Sequence, residues 1–315
     1  MRLKQKLLNM GFDDYDAERT LKMIDASSGG VCSYAAMANE IVNHFKEKPY
    51  LFEKSFGYPL YNASGNINET ELLLDLFVNT NQVSNGRGIF DNNKLVNEGV
   101  AGALSTSRAG KYVGLINKFL QAKNGNLSYT VENVGQRFQF EIDERLKGVN
   151  YNTHTGEKYD SQFFDPKTGE LLPYNVGDLR VKMENLFNQG ASLTLDFYQP
   201  KTGRRFDANG NIINLGKFKF KDIELRSPEP EKYNSVVTSN WDEGDGHAVF
   251  ITSLMDEGLI VSSWGRPYLI SWDDLAYGQF RVYASKIESG KEINHNLNNT
   301  NYENGPAVSG SMNQK

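Results

Sequence analysis

The stretch SSGGVCSYAAMANEIVNHF, residues 27–45, decides how this chain is read. It holds the single cysteine among 315 residues, Cys32. Beyond it, small or apolar residues recur at Ala35, Ala38, Ile41, Val42 and Phe45, the spacing of one helix face. That spacing predicts a helix from Cys32 to about Lys48, stopped by Pro49. The glycines just before it, Gly29 and Gly30, let the backbone approach another molecule closely. A thiol in the first turn of a helix meets free N–H groups and the positive end of the dipole, and both favour a thiolate. The same N–H groups can form half of an oxyanion hole. The plainer alternative is a small buried hydrophobe that happens to be alone.

Working outward, residues 1–26 read as helical through Leu3, Leu7, Leu8, Met10, Ala17, Leu21 and Ile24. Residues 68–82 predict a further helix, with Asn68 as N-cap and Glu71 three positions on. Residues 111–125 predict another, closed by Gly125. SYTVENV and RFQFEI alternate as strands do. A helix over 178–188, Gly190 as terminator and an alternating strand over 192–198 follow in order. DANGN, between alternating segments, signals a hairpin. The last patterned block reads as a strand from Gly246, a tight turn at Asp256–Gly258, a second strand, and a third ending near Ile287. One domain over residues 1–287 is expected, with insertions at about 50–175 and 199–244. The polar remainder, 288–315, is expected to be a disordered tail.

His247 supplies the second chemical group. It sits in DGHAVF, after a glycine and before an apolar strand, and VSSWG follows at a hairpin's distance. A histidine on a strand is otherwise commonly structural. A cysteine opening a helix and a later Gly-His-Ala-Val strand together suit acyl transfer through a thiol. The histidine would take the thiol proton and return it to the leaving group, while a polar neighbour holds the ring in one tautomer. Cys32 and His247 are 215 positions apart, so only tertiary folding can join them.

In this order GGVCSYAAMA, GHAVFITSLMDEGLIVSSWG and RPYLISWDDL resemble the papain-like cysteine peptidase clan, and within it the bacterial C39-like peptidases. The likeness covers about 90 residues of the chain. It implies an α+β fold with the nucleophile helix packed on an antiparallel β-sheet. It also implies a Cys–His dyad with a polar orienter, attacking an amide through an acyl-enzyme. Mapped onto this sequence, Cys32 and His247 are the dyad. Ser262 stands where the family places its orienting Asn or Asp, and Trp264 shields the contact. Ala26 stands where the family places its oxyanion glutamine, which leaves Ser27 or Ser28, or only backbone N–H groups, to serve. A neutral serine supports an imidazolium less well than a carboxylate. The acids Asp242, Glu243 and Asp245 are read as loop residues, and Asp256 is kept with them as a rival orienter.

The same pieces admit a transglutaminase-like or deamidase enzyme, or a papain-like binding module without catalysis. The expected partner is a peptide or protein substrate, in a bacterial setting that includes effectors and toxins. Net charge of −5 argues against a nucleic-acid partner. No apolar run is long enough for a membrane span, and no secretory signal is evident; the compartment stays open between the cytoplasm and export by a specialised bacterial system. No cofactor and no metal are expected, because His44, His154, His247 and His295 lack metal-ligand spacing.

Overall fold

A computed structural model describes residues 2–25, 32–80, 90–92, 94–95, 111–137, 171–198, 205–206, 212–213, 220–229, 246–263 and 266–289. The N-terminal helical pattern divides into α1 (Arg2–Asn9) and α2 (Asp14–Asp25). Between them Gly11 takes φ 92°, a left-handed backbone that ends α1. The Asp13 side chain accepts the Asp16 N–H at 2.7 Å, which starts α2. α3 runs Cys32–Phe45, close to the expected span. Pro49 does not simply stop it. It opens the next helix, α4 (Pro49–Phe56), where a proline's missing N–H costs nothing. α5 (Glu69–Thr80) and α6 (Lys111–Lys123) follow as the pattern predicts.

Short strands β1 (Phe90–Asp91) and β2 (Lys94–Leu95) pair with each other. β3 (Leu127–Arg137) is a long strand. α7 (Val176–Asn188) is capped by Asn175, whose side chain accepts the Asp178 N–H at 3.0 Å, and Gly190 at φ 78° leads out of it. β4 (Ser192–Tyr198) comes next, then the small pair β5 (Arg205–Phe206) and β6 (Ile212–Ile213) on either side of DANGN. β7 (Gly246–Leu254), β8 (Gly258–Ser263), β9 (Arg266–Ser271), α8 (Trp272–Tyr277) and β10 (Gln279–Ser289) complete the described chain. β10 ends two residues beyond the expected domain limit. The expected tail beyond it, the expected strand over 138–142 and most of the 199–244 insertion lie outside the described residues.

Six strands form one sheet in the order β3-β10-β4-β7-β8-β9, every neighbouring pair antiparallel. The fold is therefore α+β with an antiparallel sheet. The segment expected as an insertion, 50–175, is built into that body: β3 is an edge strand of the sheet, and α4, α5 and α6 share a core with α3. Side chains alternate across the sheet. On β4, Leu193, Leu195 and Phe197 join one core with Leu179 and Met183 of α7 and Leu275 of α8. Ser192 and Thr194, on the other face, bond to Asn43 and Glu40 of α3. The α3 face carries the second core, which includes Tyr34, Met37, Ile41, Phe45, Phe52, Phe77 and Ile287.

Outside β9, residues 220–226 run along the sheet edge. Arg226 exchanges backbone hydrogen bonds with Leu269, and its guanidinium pairs with the fully buried Asp274. Lys221 reaches the same carboxylate at 2.9 Å. A buried carboxylate is tolerated here because two cations satisfy it. No helix among the described residues is long and apolar enough to cross a membrane.

Candidate active site

Cys32 is the first residue of α3, and α3 lies across β7, β4 and β10. The half-buried cysteine meets β7 at Ala248, whose backbone N–H donates toward the sulfur. Burial pushes the thiol above its usual range. The Ala248 and Ser33 donors pull it back in part, and the nearby charge of Asp196 pushes it up again. Cys32 is thus held as a thiol, against the expectation of a helix-stabilised thiolate.

Asp196 was not picked out in the sequence. It lies on β4 directly across from Ala248 and is 5 % exposed. Alternation along β4 places it on the α3 face with Thr194, which is the face the thiol occupies. An acid interrupting the apolar alternation of LTLDF was the signal available.

His247 is the second residue of β7 and is paired with Phe197 on β4. The two rings meet edge to face, 5.7 Å apart at 87°. The ring therefore shares the face of Phe197, while the Cys32 thiol shares the face of Asp196 and Ala248. Nε2 of His247 lies 2.7 Å from the Ser263 hydroxyl, and the tautomer decides which of them donates. Burial drives the imidazole pKa down from 6.5 to about 3, so the ring is neutral at rest.

The hydroxyl at the imidazole belongs to Ser263, whereas the family alignment placed Ser262 there. The reason is parity. Phe250 pairs with Ser262 and Ile251 with Val261, after a bulge at Thr252. Continuing that register sets position 265 opposite His247. Ser263 is two residues short of it, on the same face, a diagonal neighbour. Ser262 is three short and turns to the other face of β8. Asp256 is removed from the list of orienters, since it lies in the turn at the far end of β7 and pairs with Arg180 at 2.8 Å.

The structure thus brings Cys32 to the strand that carries His247, one residue along from it, and brings His247 to Ser263. His44 stays three turns from Cys32 on α3, with Nε2 3.4 Å from the Ser289 hydroxyl. Ser28, Trp264, Ala26, His154, Asp242, Glu243 and Asp245 lie outside the described residues. Comparison with protein-family models, with curated proteins and with solved structures finds no match to this chain.

Proposed function

We propose that this chain is a papain-like cysteine hydrolase that cleaves an amide bond of a peptide or protein substrate. The observation that carries the reading is the seat of Cys32 on the N–H of Ala248, the residue that follows His247 on β7, although 216 positions separate the two in sequence. A nucleophile at a helix start and a base on the facing strand are the two parts that acyl transfer needs. At rest Ser263 at Nε2 holds the ring in one orientation on the Phe197 face.

Both groups rest neutral, so the proton moves as the bond forms. Cys32 Sγ attacks the carbonyl carbon while its proton passes to His247. The imidazolium then protonates the leaving nitrogen, the C–N bond breaks, and a thioester remains on Cys32. Water, giving a proton to His247, displaces the sulfur and releases the acid, and the imidazolium returns that proton to the departing thiolate. At rest the ring lies on the Phe197 face and the thiol on the Asp196 face, so this proton transfer requires a rearrangement at the start of β7 when substrate binds. Catalytic contacts that are loose at rest tighten when substrate is bound.

The low basicity of His247 favours a second reading, a papain-like binding module without turnover. A peptide carrying an acyl electrophile decides between them. Labelling of Cys32 faster than a free cysteine, lost in His247→Ala, supports the enzyme. Labelling at the rate of free cysteine, unaffected by His247→Ala, supports the binding module. Peptide cleavage against ammonia release then separates a peptidase from a deamidase.

A further inference from the structure

Glu40 lies on α3 two turns beyond Cys32 and is 1 % exposed. Its carboxylate accepts three hydroxyls: Thr194 Oγ1 at 2.5 Å, Tyr129 OH at 2.8 Å and Ser285 Oγ at 2.8 Å. These donors stand on β4, β3 and β10, which are neighbours in the sheet. One turn further on, the Asn43 amide donates to Ser192 at the start of β4, at 2.9 Å. Polar bonds therefore tie one end of α3 to three strands, while Cys32 at the other end meets a fourth, β7.

Apolar packing alone would hold α3 on the sheet, and replacing a buried carboxylate by a hydrophobe of similar volume is often neutral or stabilising. What three hydroxyls on one carboxylate add is direction. An apolar helix face can slide or turn against a sheet, whereas charge-assisted O–H···O bonds fix distance and angle together. We propose that Glu40 is a positioning residue that sets the height and rotation of α3, so that the Cys32 sulfur rests on the Ala248 N–H. Only the turnover measurement below rests on the hydrolase reading; the thiol measurement stands apart from it.

Because Cys32 is the single cysteine, iodoacetamide reports on it alone. Its alkylation rate is followed against pH for the full chain and for Glu40→Gln, Tyr129→Phe and Ser285→Ala. The control is Asp75→Asn, another buried carboxylate that takes a hydroxyl, from Tyr58, but lies on α5 and is held by Lys123. In Glu40→Gln the thiol loses its alignment with the Ala248 donor. Its titration midpoint then moves up, and alkylation at pH 7 slows by about tenfold, one pKa unit in thiolate population. Tyr129→Phe and Ser285→Ala move it the same way by less, and Asp75→Asn lowers Tm without moving it. A folded Glu40→Gln with the wild-type profile overturns the proposal, as does an equal displacement in Asp75→Asn. If Glu40→Gln does not fold, unmoved profiles in both Tyr129→Phe and Ser285→Ala overturn it. Peptide turnover is measured in parallel. A displaced profile without turnover in any protein removes the hydrolase reading and leaves the positioning role standing. Turnover with an unmoved profile does the reverse.

Discussion

Ser263 Oγ and His247 Nε2 lie 2.7 Å apart as a diagonal pair across the β7–β8 hairpin. The two adjacent serines therefore differ in consequence. Ser263→Ala removes a neutral hydrogen bond of about 1 kcal/mol that holds the ring on the Phe197 face, and alters acylation of Cys32 by roughly fivefold. Ser262→Ala leaves that rate unchanged, since its hydroxyl faces away from the ring. Rates measured with an acyl-electrophile peptide decide it, and the opposite ranking would restore the family alignment at Ser262.

Asp196 opposes ionisation of Cys32 from across the β4–β7 pair. Asp196→Asn removes that charge, lowers the thiol pKa and raises the alkylation rate at pH 7 by roughly threefold. Burial still holds the thiol above its usual range, so the change is partial. An unchanged or slower rate would show that Asp196 does not act on the sulfur.

His247 makes stability depend on pH. Burial depresses its folded pKa from 6.5 to about 3. Between those values the unfolded chain binds a proton that the folded chain refuses, so stability rises with pH through this window and is lost as pH falls below 6.5. Going from pH 8 to 5.5, this residue alone costs about 1.4 kcal/mol. Urea unfolding of wild type and His247→Gln at both pH values measures it as the difference between the two slopes. Parallel slopes would mean that the imidazole is not buried as described.

Gly258 begins β8 against the backbone of β9, and a Cβ there would overlap the Ile270 carbonyl oxygen. Backbone cannot step aside as a flexible side chain does, so Gly258→Ala destabilises by about 3 kcal/mol. Gly125→Ala, where nothing lies within 4 Å of the added Cβ, is the matched comparison and stays close to wild type in urea.

The helix at Cys32 and the strands at 192–198, 246–254, 258–263 and 279–289 were legible because each carries its own period in a few residues. What escaped depends on partners distant in the chain. β3 alternates like any strand, yet its place beside β10 rests on pairs such as Tyr129 with Ile287. Choosing between Ser262 and Ser263 needed the face as well as the distance, and the bulge at Thr252 that sets both is not visible in the sequence. Asp196 went unremarked because nothing local in the sequence shows that Ala248 and Cys32 lie against it. Pro49 marks a boundary in the sequence without saying which side is helical, because a proline ends one helix and starts another with the same geometry.

β10 lies between β3 and β4 although it is the last strand of the described chain. During synthesis, β3 and β4 therefore leave the ribosome without their shared neighbour, and Glu40 waits for Ser285. Closure of the sheet is a late, long-range event, which makes this a slow-folding topology. The bed beneath α3 is finished only when residues 279–289 have emerged, so the thiol chemistry proposed here waits for that segment.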